Sequence, residues 1–156
     1  MRSLVLAIDF DGTIVNERYP AIGHLKRHAK QYINRLVADG HRIIINSCRA
    51  GCDEDRMRRF LDDHGIQYHA VNGNLPDRIM LYQNDCRKVG ADLYIDDKSL
   101  FANRTMCWPQ IYDYITAYAA AVPIILCIVG ESGVGKTEAA AYLEREYGIP
   151  MLRSCT

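Results

Sequence analysis

Two aspartates spaced by one residue, Asp9 and Asp11, stand directly after the apolar run Leu4-Val5-Leu6-Ala7-Ile8 and are followed by Gly12 and Thr13. Carboxylates this close repel, so a site built on them needs a hard divalent cation or a shared proton. A second acidic pair, Asp96-Asp97, follows the run Ala91-Asp92-Leu93-Tyr94-Ile95. Ser47 comes just after Ile43-Ile44-Ile45-Asn46, where a hydroxyl can donate to a bound oxyanion. Arg49 can reach the same anion or pair with an acid. Lys88 precedes the second acidic pair and brings positive charge.

This set suits phosphoryl transfer to an aspartate. Asp9 is the expected nucleophile, since a carboxylate needs no deprotonation at neutral pH. Mg2+ is expected on Asp9, Asp96 and the main-chain carbonyl of Asp11, with Asp97 positioning a water of the metal or orienting Lys88. Ser47 and Lys88 are expected to hold the non-reacting phosphoryl oxygens. Asp11 is expected to protonate the leaving oxygen and then to activate the hydrolytic water.

Such residues must be gathered by strand ends. Runs that are apolar at every position read as central strands of a parallel sheet, buried on both faces, and ligands of open α/β sheets sit past the carboxyl ends of the strands. The pattern predicts an α/β, Rossmann-like parallel sheet with helices on both faces. The stretch 14–23, with Pro20, reads as a loop able to lie over the carboxylates. Leu25, Ala29, Tyr32, Ile33, Leu36 and Val37 predict a helix over 24–38, stopped by Gly40, with His24 and His28 on one side of it. Strand 42–46 follows. Then comes a helix capped by Asp53 and carrying Met57, Phe60 and Leu61 to Gly65. A strand is expected within 66–71, a turn at Asn72-Gly73-Asn74, a helix over 76–88 and a strand over 91–95. Trp108-Pro109 reads as a loop before a helix over 111–122, whose Tyr114 and Tyr118 read as packing residues.

The 156 residues suffice for a domain with a real core. Apolar content of 49% against 24% charged excludes a disordered chain. Lys plus Arg and Asp plus Glu are both 19, so net charge gives no argument for a nucleic-acid surface. No apolar run reaches membrane-spanning length and no signal-peptide pattern opens the chain. The six cysteines show no Cys-x2-Cys spacing, so free thiols in a reducing cytoplasm are expected, and Cys48 with Cys52 lacks partners for a zinc site.

Asp9-Phe10-Asp11-Gly12-Thr13 resembles the first motif of the haloacid-dehalogenase-like (HAD) hydrolases. Ser47 after Ile43-Ile44-Ile45 resembles the second and Lys88 the third, with Arg87 and Lys98 as nearby alternatives. Asp96-Asp97 after Leu93-Tyr94-Ile95 resembles the fourth. The likeness covers roughly residues 1 to 118. It implies a phosphatase, because an acid stands two after the nucleophile. It also implies the capless type, because no stretch is left over for a cap domain. The expected substrate is a small phosphorylated metabolite, a nucleotide or a nucleic-acid end. The alternatives are the phosphatase half of a bifunctional phosphatase–nucleotide kinase, and a catalytically silent metal- or phosphate-binding domain.

A second motif stands near the end. Gly130-Glu131-Ser132-Gly133-Val134-Gly135-Lys136-Thr137 matches a phosphate-binding P-loop, between an expected strand at 124–129 and an expected helix at 138–147. It resembles the beginning of guanylate-kinase-like nucleotide kinases. The expected division is 1–122, a HAD-like domain, and 123–156, an incomplete P-loop β-α segment. A strand and a helix cannot enclose a nucleotide, so Gly130, Gly135, Lys136 and Thr137 are not expected to bind ATP well. The apolar strand 124–129 is expected to pack on the first domain, to self-associate or to be disordered.

Overall fold

In the computed structural model, residues 2–99, 107–121 and 135–147 are described. The chain divides into two compact units, Met1–Ala121 and Val122–Thr156. In the first unit, β1 (Val5–Ile8) is buried at every position. It pairs in parallel with β2 (Arg42–Ile45) on one side and β4 (Leu93–Ile95) on the other, and β2 pairs with the two-residue β3 (Ala70–Val71). The order is β3-β2-β1-β4, all parallel. The result is a small parallel α/β sheet flanked by helices.

Side chains of successive strand residues point to opposite faces. Leu4, Leu6 and Ile8 accordingly join Ile43 and Ile45 in the larger core, with residues of α1 (Ala29–Ala38), α2 (Cys52–Asp63) and α4 (Trp108–Ala120). Val5, Ala7 and Ile44 form a smaller cluster with Leu75 and Val89 on the other face. Leu75 is the N-cap residue of α3 (Pro76–Tyr82), a helix that itself buries no residue.

Several boundaries differ from the sequence expectation. α1 starts at Ala29, because Val15 bridges Leu25 and the main chain of 24–26 is engaged by that of 14–16. His24 is therefore off the helix and His28 is its left-handed N-cap residue (φ 67°), so the two do not share a helical face. α2 is capped by Gly51; Asp53 lies inside the first turn and pairs with Arg56 at 3.2 Å. α3 stops at Tyr82 because Gln83 adopts a left-handed conformation (φ 53°). Lys88 thus lies in a loop, which Asn74 organises through Asp85, the Cys86 carbonyl and the Gly90 amide. Trp108-Pro109 opens α4, where proline's missing N–H costs nothing and its fixed φ suits a helix. Tyr114 is 63% exposed and stacks on Tyr118, which packs against the larger core; the buried tyrosine of α4 is Tyr112, whose hydroxyl donates to Asp39 at 2.7 Å.

In the second unit, α5 (Lys136–Tyr147) begins two residues earlier than expected, directly after Gly135 at φ 79°. Gly130, the expected strand 124–129 and the stretch 148–154 lie outside the described residues.

Leu36 is fully buried between α1 and the rest of the larger core. Leu36→Ala is expected to cost about 2–5 kcal/mol in urea unfolding. Tyr114→Ala, on the exposed side of α4, should change stability by no more than about 0.5 kcal/mol.

Candidate metal centre

The register of the sheet assembles the site. Ile8 stands opposite Ile45 on one side and Ile95 on the other, so β1, β2 and β4 end level. The residues that leave these strands, Asp9, Asn46-Ser47 and Asp96-Asp97, consequently emerge together. The Asp9 N–H still donates to the Ile95 carbonyl at 2.9 Å, which ties the two exits. The chain steps outward from β1 through β2 to β3, then returns to the opposite side of β1 as β4. Ligands of open α/β sheets bind at such a reversal, past the carboxyl ends of the strands, and the acids stand at those ends.

Asp9, Asp96 and Asp97 present carboxylate oxygens that all lie within 4.8 Å of one another. Thr13 stitches them together: its hydroxyl donates to Asp9 Oδ2 at 3.2 Å and accepts from the Asp97 N–H at 3.1 Å. Burial pushes the Asp9 carboxyl up to about 7, with the negative charges of Asp96 and Asp97 adding to it, against hydrogen bonds from the Phe10 main chain and Thr13 that pull the other way. Asp97 Oδ1 is buried without a hydrogen-bond partner among the described residues. Three carboxylates, one of them orphaned, make a hard-oxygen donor set that can coordinate a divalent cation.

The other expected residues fall into distinct places. The Asp11 carboxylate is held away from the trio's donor set by Arg49, whose Nε and Nη2 donate to its two oxygens, each at 2.7 Å. Of the two readings of Arg49, pairing with an acid is the one observed. The Ser47 N–H donates to Asn72 Oδ1 at 2.7 Å, and the Ser47 hydroxyl accepts from the Arg49 N–H at 3.3 Å. The Lys88 ammonium lies over the Tyr94 ring, 5.2 Å from its centre. Lys98 pairs with Glu17 at 3.6 Å, and the charges of Glu17, Asp97 and Asp9 raise its pKa. The Cys48 and Cys52 thiols are free and exposed. In the second unit, Lys136 and Thr137 occupy the first two positions of α5.

Sequence reasoning gave no role to Thr13, Asn72 or Lys26. Asn72, left-handed at φ 52°, braces the loop after β2 through the Ser47 N–H and the Arg49 carbonyl. Lys26 Nζ donates to the Gly12 carbonyl. A hydroxyl four residues after the first acid was the one available signal for Thr13; the other two depend on contacts between distant segments.

No protein-family model matches the chain, and no curated protein does. A conserved protein from Bacteroides thetaiotaomicron, known from its solved structure, is similar to it at 33% identity and a TM-score of 0.67. The match covers 75% of this chain and 93% of that one. The chain belongs to the family of that conserved protein. No described helix of this family member is long and apolar enough to cross a membrane.

Two outcomes follow from the geometry. A Cβ on Gly12 would lie 2.3 Å from Asp97 Oδ2, and Gly12 has φ 88°. Gly12→Ala should therefore displace Asp97 and weaken divalent-cation binding at least tenfold by calorimetric titration. The second concerns pH. A carboxyl whose folded pKa is raised, here from 3.8 to about 7, stabilises the fold below its unfolded pKa, and that contribution is lost as pH rises through about 7. Metal-free protein should thus lose stability relative to Asp9→Asn between about pH 4 and 7. Added divalent cation should raise the wild-type melting temperature most above pH 7, as differential scanning calorimetry will show.

Proposed function

We propose that this protein is a Mg2+-dependent phosphomonoester hydrolase of the HAD type, acting through a phosphoaspartate at Asp9. The observation that carries this reading is the Asp9, Asp96 and Asp97 trio at the reversal point of the sheet. The order of the motif residues along the chain supports it.

Asp9, Asp96 and the main-chain carbonyl of Asp11 would hold Mg2+, which supplies charge neutralisation for an anionic substrate. In the first step an Asp9 carboxylate oxygen bonds to phosphorus while the bond from phosphorus to the ester oxygen breaks. Asp11 delivers a proton to that leaving oxygen. In the second step water attacks the phosphorus of the acyl phosphate. Asp11 takes its proton, and inorganic phosphate leaves as Asp9 is regenerated. The Ser47 hydroxyl and a lysine, Lys88 or Lys98, hold the non-reacting oxygens. Lys98 is favoured by the field it shares with Asp9 and Asp97. Nucleotides and nucleic-acid end phosphates are the substrates proposed for a site with no separate cap among the described residues.

The deciding experiment is turnover of p-nitrophenyl phosphate and a panel of nucleotides and end-phosphorylated oligonucleotides, with and without Mg2+. Mg2+-dependent phosphate release is expected, abolished in Asp9→Asn. Asp11→Asn should retain most Mg2+ affinity and lose at least a hundredfold in rate on substrates with poor leaving groups. Folded, metal-binding protein that hydrolyses none of them overturns the reading in favour of a silent metal- or phosphate-binding domain.

A further inference from the structure

Among the described residues of the first unit, the buried cation is Arg49, only 2% exposed. Beyond its two bonds to Asp11, Nη1 donates to the Pro20 carbonyl at 3.0 Å and Nη2 to the Ala21 carbonyl at 2.8 Å. The guanidinium also lies 5.5 Å from the Phe10 ring centre and 5.2 Å from that of Tyr19. Its main chain is fixed as well, through the Ser47 hydroxyl and the Asn72 side chain. One side chain thus joins the exit of β1, the segment 16–23 and the loop after β2.

The chemistry of the contact is specific. A guanidinium taken out of water needs an anion and partners for its remaining N–H groups, and both are present here. Its planar fork matches the two oxygens of a carboxylate; an ammonium brings the same charge but not two parallel bonds in a fixed plane. The pair fixes the rotamer of Asp11 from the side, and the same group grips the main chain of 20–21. Its hydrogen bonds are directed inward, to the protein's own oxygens, rather than toward a substrate anion.

We infer that Arg49 is a positioning residue: through Asp11 it sets the geometry of proton transfer to the leaving oxygen and from the hydrolytic water, and through the Pro20 and Ala21 carbonyls it anchors segment 16–23 beside that carboxylate. The first half rests on the hydrolase reading above; the second stands on geometry alone.

The test compares wild type, Arg49→Lys, Asp11→Asn and the double variant on two substrates with Mg2+. p-Nitrophenolate leaves without a proton, whereas the alkoxide of an alkyl phosphate needs one. Arg49→Lys should lose at least ten times more in kcat/KM, which reports the step that expels the leaving group, on the alkyl phosphate than on p-nitrophenyl phosphate. In the Asp11→Asn background it should lose less than a further threefold, because a residue that acts through Asp11 has nothing left to position. Equal losses on both substrates, or losses that multiply in the double variant, overturn the positioning role. Should Arg49→Lys fail to fold, Arg49→Gln combined with Asp11→Asn leaves no unpaired buried charge. It should match Asp11→Asn within threefold, and a larger loss likewise overturns the role. Hydrogen–deuterium exchange reads the anchoring without any turnover: amides of 16–23 should exchange at least tenfold faster in Arg49→Lys, and unchanged protection overturns that half. Wild type inactive on both substrates overturns the hydrolase reading and the proton-transfer half together, leaving the exchange result to decide the anchoring.

Discussion

β1 is hydrogen-bonded along both edges, and the rest of the first unit depends on that fact. A strand in this position cannot slip by a residue without exchanging Leu4, Leu6 and Ile8 in the larger core for Val5 and Ala7. The register is thereby fixed against two neighbours at once, and Ile8, Ile45 and Ile95 are held abreast. Acids that would repel each other in an unfolded chain are pressed together because the apolar residues before them have nowhere else to go. Burial first, and the charges of Asp96 and Asp97 after it, leave Asp9 resisting ionisation until something positive arrives. Burial supplies the force and the carboxylates carry the consequence.

β1 was legible because it is an unbroken apolar run buried on both faces, and β2 and β4 because short apolar stretches, Ile43-Ile44-Ile45 and Leu93-Tyr94-Ile95, run into polar exits. The acids that follow Ile8 and Ile95 were legible for the same reason, since their position relative to a strand end is local information. What failed was information held elsewhere in the chain. The residues 24–28 have helical spacing, yet the main chain of 14–16 claims 24–26 for pairing before α1 begins. Trp108-Pro109 reads as a loop in sequence, although at the start of a helix the proline ring is compatible with the turn. β3 is reduced to Ala70–Val71, which pair only with Ile44 and Ile45 at the carboxyl end of β2. The two readings of Arg49 were equal in sequence, and only the arrival of Asp11 from 38 positions away separates them.

The two halves of the acidic site are also supported differently. Asp9 and Asp97 share Thr13, a short side chain on the tight turn that Gly12 permits. Asp11 is held by a long, planar cation from another loop, itself braced by Asn72. Neighbouring acids in sequence are therefore assigned to separate networks, one with an unsatisfied oxygen and one with its charge already met. That partition keeps a fourth negative charge from adding its full weight to the trio.

The parallel order β3-β2-β1-β4 has a temporal side. Thr13 and Asp97 are 84 positions apart, and the strand that completes the site is the last of the four to leave the ribosome. Until β4 docks, β1 has one open edge and Asp9 lacks Asp96 and Asp97 beside it. Docking closes a long loop and brings those acids beside Asp9 in the same event. The final strand is thus opposed by charge and drawn in by its apolar residues. A cation in the surrounding solution then bears on folding, because it binds the assembled trio and not the separated acids.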